Sequence, residues 1–421
     1  MDERDLAAAL SHVFGPVTIE HLTRLSGGAS RETWSFDAVD TDGSRTQLVL
    51  RRDPPGRPSE PGAMSREAHL ISRADAAGLA VPEVLMVTDG PDLWETAGLL
   101  MRRVDGETIA RRILRDEDYR EARQVLVRQV AEFAAGLHAL PVPADLPAQD
   151  PVADLRAELA AFDQASPVFE LALRTLEASQ PPARQPAIVH GDLRLGNLIV
   201  GPRSLRAVID WELAHAGNPA EDLGWFCVKA WRFGAEPPAA GLGSREELLA
   251  AYRAAGGADI TADELRWWEI LGTLRWGIIC MSQAWAHLSG AHRSVELAAV
   301  GRRVCEQEWD LLLLLDPAAA AEAAARRPHV TGAPRPAPAP HGRPTASELL
   351  DAVREFLTGQ VMPATTGQTA FHARVAANVL AIVARELELG PVPPDSHVAG
   401  NVAARLAVAN PKYFHTTPRQ S

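Results

Sequence analysis

Lysine is almost missing from this chain. Of 42 Lys and Arg residues only Lys229 and Lys412 are lysines, so any role normally filled by lysine before residue 229 falls to arginine. Cysteine is scarce as well. Cys227, Cys280 and Cys305 are odd in number and far apart, which gives neither a metal-binding spacing nor a disulfide framework and suits a reducing cytosol. Basic charge is in deficit: 42 Lys and Arg against 54 Asp and Glu leave a formal charge of −12. A general nucleic-acid binder would usually show a basic footprint, so that class is not expected. Long apolar runs are absent too. The longest apolar helical pattern, 270–286, is broken by Arg275, and the acidic start Met1-Asp-Glu-Arg-Asp is followed by no apolar stretch. Neither a membrane span nor a signal peptide is read. The expectation is a cytoplasmic chain whose 421 residues suffice for two or three domains.

What is present is concentrated in one stretch, 188–211. Asn197-Leu-Ile-Val and Leu205-Arg-Ala-Val-Ile are β-rich runs separated by the turn signal Gly201-Pro-Arg-Ser. An antiparallel hairpin sets the start of its first strand beside the end of its second. Asn197 and Asp210 therefore share an edge, and Asp192 lies on the loop just before it. Two carboxylates and an amide oxygen meeting there make a hard-oxygen site suited to Mg²⁺ and phosphate chemistry.

Around this hairpin the chain changes character. Residues 1–104 read as strand-rich with one helix: β-type runs at 19–25, 33–39, 47–51, 83–87 and 98–104, and a helical stretch at 65–77. Residues 105–316 read as mostly helical, over 108–140, 152–178, 244–255, 261–287 and 295–315. Capping boxes open two of these, Ser244-Arg-Glu-Glu247 and Thr261-Ala-Asp-Glu264. The Ala- and then Pro-rich segment 317–344 reads as a semi-stiff linker. Order resumes at the capping box Thr345-Ala-Ser-Glu348, with helices at 346–357, 370–389 and 397–409. The tail 345–421 is thus expected to be a small, separable helical domain.

A strand-rich lobe, a helical lobe, His190-Gly-Asp192 followed by Asn197, and then Asp210-Trp211 together resemble the aminoglycoside phosphotransferase family over roughly residues 15–315. The resemblance implies an α+β, bilobal protein-kinase-like fold with a C-terminal helical appendage. It also implies an ATP-dependent enzyme that moves the γ-phosphate to a hydroxyl of a small molecule, with ATP and Mg²⁺ as cofactors. Asp192 would orient the acceptor hydroxyl and take its proton, which a carboxylate can do because the transition state is loose. Asn197 and Asp210 would hold the metal. Gly27, Gly28 and Ser30, in Leu25-Ser-Gly-Gly-Ala-Ser, would cover the phosphates, although a Gly-Gly turn is common by itself. Met101 and Arg103 would belong to the hinge, 101–106, whose backbone holds the adenine edge. His190 reads as a brace, and Asp222 as the aspartate that bonds the catalytic-loop backbone.

One position departs from the family. Where a lysine normally contacts the phosphates, this chain has Val49-Leu-Arg51-Arg52. Strand alternation puts Val49 and Arg51 on one face, so Arg51 would point at the phosphates and pair with Glu67. An arginine fork binds phosphate but differs from lysine in shape and reach. The run Leu50–Gly56 also resembles kinase domains joined to acyl-CoA dehydrogenases, which suggests a hydroxyacyl-CoA or hydroxy-acid acceptor and an association with acyl-CoA enzymes. Two alternatives stay open. One is a pseudokinase that binds nucleotide or a partner without transfer. The other is a choline-type or antibiotic kinase, for which an aromatic, acidic pocket would speak. The short segment between Asp210 and Pro219 leaves no room for a peptide-seating activation loop, which favours a small acceptor. Trp267, Trp268, Trp276 and Trp285 lie on one helix and read as core before ligand cradle.

Overall fold

The computed structural model describes residues 2–25, 31–56, 60–91, 94–162, 166–326, 346–390 and 397–416. They form two compact units. The first comprises Met1–Gln149, Pro182–Cys227 and Trp231–Leu265; the second comprises Asp150–Pro181, Val228–Ala230 and Arg266–Ser421.

In the first unit five strands, β1 (Val17–Leu25), β2 (Glu32–Asp40), β3 (Arg45–Arg52), β4 (Val84–Thr88) and β5 (Gly98–Arg102), form an antiparallel sheet of order β1-β2-β3-β5-β4. All five lie where the β-type runs were read. The burial of β3 alternates, with Leu48, Leu50 and Arg52 inside. Val49 and Arg51 are therefore turned to the other face, as period-2 geometry demands. The inner face packs on a helix that sequence reading had not placed, Glu3–Phe14. Asp2 caps it by accepting from the Arg4 and Asp5 amides, and Leu6 and Leu10 join Phe36, Leu48, Leu50, Trp94 and Leu100 in the core. The helix Ala63–Ala76 follows β3 and buries Met64, Glu67, Leu70 and Ile71.

The expected hairpin is β7 (Leu198–Val200) against β8 (Leu205–Val208). A second two-stranded sheet, β6 (Ala187–Val189) with β9 (His215–Gly217), brackets it in sequence and was not anticipated. Each strand there has three residues, too few for periodicity to register. Two ties fix the hairpin within the unit: Val208 N–H donates to Ala80 O (2.8 Å), and Glu107 and Val200 exchange amide bonds.

The second unit is helical. Trp267 and Trp268 are buried on the helix Ala262–Leu288, as read, whereas Trp285 near its end is 60 % exposed. The segment 317–344 is not all linker: Pro317–Arg326 is a helix that buries Ala320 and Ala323. Proline at a first helical position is preorganised, and the alanines after it are the best helix formers. The tail packs with the other helices of this unit. Its helix Val398–Ala409 packs on the helices Val304–Leu315 and Pro317–Arg326, with Val402, Ala403, Leu406 and Ala407 buried. Beyond it Phe414 meets Trp309 edge-on at 5.1 Å, Tyr413 Oη donates to Asp310 (2.6 Å), and Asn410 donates to Glu306 (3.0 Å). Thr345 lies outside the described residues. No described helix is long and apolar enough to cross a membrane.

Candidate active site

The first unit brings Asp192, Asn197, Asp210, Arg51 and Glu67 together. β6 ends at Val189, and the loop His190–Arg194 then turns sharply. Gly191 makes the turn possible. Its φ is +79°, and a Cβ there would sit 2.4 Å from the Leu213 carbonyl oxygen, so both conformation and space require glycine. His190 is fully buried; its Nδ1 accepts the Asp192 amide (3.2 Å), and its ring leans on Trp211 at 4.9 Å. Those are a brace's contacts.

Asp222, fully buried, holds the loop from beneath. It accepts from the His190 amide (2.8 Å), the Gly191 amide (3.0 Å) and His138 Nε2 (3.1 Å), while His138 Nδ1 bonds Tyr252 Oη (2.8 Å). Burial disfavours its charge, but the His138 and backbone bonds outweigh that and hold its pKa below the ordinary 3.8. A depressed carboxylate stabilises the fold above its unfolded pKa and loses that contribution as pH falls through the folded value. Asp222→Ala should therefore lose about 3–5 kcal/mol at neutral pH. The gap to the parent should close as pH falls below 3.8. Urea unfolding at the two pH values checks both statements.

Asp192 is densely coordinated. Arg194 Nε donates to both its oxygens (2.9 and 3.0 Å), Trp225 Nε1 to Oδ1 (2.8 Å) and Asn197 Nδ2 to Oδ2 (2.6 Å). Asn197 also donates to the Asp192 carbonyl (3.0 Å). With its amide nitrogen spent on Asp192, its amide oxygen is the atom left for a cation. Asn197 O accepts the Ile209 amide (3.0 Å), which brings Asp210 to the same edge. Asp210 has a left-handed φ of 71°, uncommon for a residue with a side chain.

Arg51 reaches Asp210 (2.6 Å) and Glu67 (2.5 Å) at once. Burial works against its charge, but Glu67, Asp210 and Glu212 hold the guanidinium firmly protonated. Asp210, likewise opposed by burial, is kept below the ordinary carboxylate range by Arg51 and Arg194. Glu67 is shared with a second guanidinium, Arg31, which also bonds Asp53 (3.3 Å).

The remaining expected positions are less simple. Gly27, Gly28 and Ser30 lie outside the described residues. Met101 sits in β5 opposite Val49. The Arg103 amide donates to Gln47 O (2.9 Å) and its side chain turns to Asp37 and Ser35, so what its backbone can offer a base is the carbonyl. Sequence reading missed Arg31, Arg194, Trp225 and the His138–Tyr252 pair. Only Arg194 had a local signal, a cation two residues beyond Asp192.

For a cation, Asn197 and Asp210 fit by donor chemistry: an amide oxygen and an ionised carboxylate are hard ligands. Among the described residues no group of three or more His, Cys, Asp or Glu forms a metal cluster, which leaves this mixed pair as the candidate.

Residues 21–268 match the phosphotransferase enzyme family, and residues 363–400 match a domain of unknown function, DUF6285. Among curated proteins, acyl-CoA dehydrogenase family member 10 of Mus musculus is 29% identical over 231 residues, covering 52% of this chain but 21% of that protein. The chain thus spans about a fifth of that relative's length. Among solved structures, macrolide 2'-phosphotransferase MphH from Brachybacterium faecium superposes with a TM-score of 0.51 at 20% identity, over 75% of this chain and 99% of that one. Spectinomycin phosphotransferase APH(9)-Ia, solved with ADP and spectinomycin, gives 0.51 at 13% identity, over 75% and 95%. The fold is the kinase-like one that the sequence led us to expect.

Proposed function

Because the chain belongs to the phosphotransferase enzyme family, we propose that it moves the γ-phosphate of ATP to a hydroxyl of a small molecule, a hydroxyacyl-CoA or related hydroxy acid. The observation that carries this reading is the convergence of Asp192, Asn197, Asp210 and Arg51 within one unit. A pure binder has no chemical need for all four. ADP on a structural neighbour supports an adenine nucleotide, and the name of the mouse relative supports the acyl-CoA direction.

In this reading Asp192 orients the acceptor hydroxyl and receives its proton as that oxygen bonds to the γ-phosphorus. The bond from phosphorus to the β–γ bridging oxygen breaks, and ADP leaves with the electron pair. Arg51, fixed by Glu67, lies along the donor phosphates. Mg²⁺, held by Asn197 and Asp210, would supply charge neutralisation on the nucleotide.

The test is ADP release by the purified chain with ATP, Mg²⁺ and a panel of hydroxyacyl-CoAs. Acceptor-dependent release is expected. No turnover with any acceptor, alongside tight Mg²⁺-independent ATP binding, would make the chain a pseudokinase. Asp210→Ala should abolish the Mg²⁺ dependence of nucleotide affinity, read by titration calorimetry with and without the metal; an unchanged dependence removes Asp210 from the metal site.

A further inference from the structure

The second unit holds a cavity of about 720 Å³ that contains none of the residues of the candidate active site. That volume is in the range of small-molecule sites. The helix Ala262–Leu288 gives the cavity an apolar wall. Met281, Ala284, Trp285 and Leu288 line it, at the i, i+3, i+4 and i+7 positions that share one helix face. The tail adds a second wall through Leu389, Ala404 and Val408, and Val304 and Cys305 complete the apolar lining. The first wall is incompletely covered: Trp285 is 60 % exposed and Leu288 75 %. Large apolar side chains left in water beside a concavity mark a binding surface.

The charged lining has a sign. Arg302 and Arg405 border the cavity, against a single carboxylate, Glu386. Arg302 bonds Glu386 (2.6 Å), with both side chains about half exposed. Water screens such a pair and it contributes little, so this guanidinium can exchange Glu386 for the carboxylate of a ligand. Arg405 pairs with buried Glu308 (2.7 Å). That partner fixes its direction and leaves over further donors of the five a guanidinium carries. An occupant suited to this lining is apolar along most of its length and anionic at one end. Met281 to Leu288 covers about 10 Å of helix, the reach of an extended chain of about eight carbons at ordinary single-bond lengths.

We propose that this cavity binds a medium-chain monocarboxylate, with its chain along Met281, Trp285 and Leu288 and its carboxylate on Arg302 and Arg405. The inference is independent of the phosphotransferase reading. Bound there, the ligand ties the tail to the helix Ala262–Leu288, and so gives the tail a part in recognition as well as in packing.

The experiment is titration calorimetry of the purified full chain with sodium decanoate, with three comparison probes. Decanoate should bind at one site per chain. Decyltrimethylammonium, with the same chain and the opposite charge, should bind at least about tenfold more weakly, and so should decanoyl-CoA, whose thioester replaces the carboxylate. Acetate, which lacks the chain, should bind at least about 10²-fold more weakly. Arg302→Ala should weaken decanoate about 10- to 100-fold, the worth of a charge-assisted bond. Leu288→Glu should weaken it by a similar factor, through lost apolar contact. Both positions are exposed enough for the variants to fold; if one does not, the other decides. No binding of decanoate, equal binding of the ammonium or of the thioester, or affinity unchanged in both variants would overturn the inference. So would a chain that sediments as a dimer and stays one in saturating decanoate, since the apolar wall would then belong to a second copy.

Discussion

Replacing Asp192 by alanine should lower turnover about 10²- to 10⁴-fold, the span general-base catalysis contributes, and leave ADP affinity within a few-fold of the parent. The argument is geometric. Asp192 takes no part in the Arg51–Glu67–Asp210 cluster, the group that the proposed reading sets along the donor phosphates, so the nucleotide side should survive its loss. What disappears is the only carboxylate at the turn between β6 and β7, the group that the proposed reading aims at the acceptor hydroxyl. The change also leaves Arg194 without its counter-ion, but the guanidinium keeps its stacking on Trp231 and partial contact with water, which limits the cost in stability. Asp192→Asn separates two roles further. An amide can still accept from Trp225 Nε1, so the indole stays placed, yet it cannot take a proton. Equal losses in the two variants would mean that proton acceptance carries the effect; a much milder loss in the asparagine variant would mean that placement does. Near-normal turnover in both removes Asp192 from the chemistry. Loss of ADP binding would show instead that it holds the loop.

What the sequence made legible and what it hid divide along a physical line. Asp192, Asn197 and Asp210 lie within 19 residues, joined by one hairpin whose turn and strands are written in local composition. Their meeting follows from antiparallel geometry alone. The Arg51 pairing was reachable because strand alternation assigns its face. By contrast, His138, Asp222 and Tyr252 are brought together from three distant segments, and no periodicity announces such a trio. Trp225 is 33 residues from the carboxylate it bonds and reads in isolation as one more apolar residue on a short helix. The missed helix Glu3–Phe14 is a different case. Asp2 as cap and Leu6, Ala9 and Leu10 at helical spacing were visible, and the acidic start drew attention only to what it excluded. The segment after residue 316 misled because alanine and proline suit both a linker and a helix start. Burial of Ala320 and Ala323 against neighbouring helices decides between them, and burial is not a local property.

Deleting residues 345–421 should unfold the second unit rather than trim it. Val402, Leu406 and Phe414 are buried. At roughly 1.5–3 kcal/mol per large apolar side chain, these three alone account for about 5–9 kcal/mol as an upper figure, which is comparable to the whole stability of a typical domain. The polar losses add to this. The helix Val304–Leu315 buries Glu306, Glu308 and Asp310, and the tail supplies a partner to each: Asn410 to Glu306, Arg405 to Glu308 at 2.7 Å, and Tyr413 to Asp310. Removing one partner of a buried charge costs more than the pair is worth, because the remaining charge stays desolvated. Ser166, Arg303 and Lys229 still serve these acids, so the cost is large without being total. Arg385 adds a link inside the tail, donating to the Val408 and Ala409 carbonyls (2.6 and 3.1 Å) at the end of the helix Val398–Ala409, a favourable place for a cation. A shorter truncation that stops after Leu389 removes Val402, Leu406, Phe414 and the three partners while sparing the helices before it, and should destabilise nearly as much as the full deletion. Thermal unfolding followed by tryptophan fluorescence reads this directly, since Trp309 loses its edge contact with Phe414. Both truncated chains melting with the parent would show the tail to be an independent appendage after all.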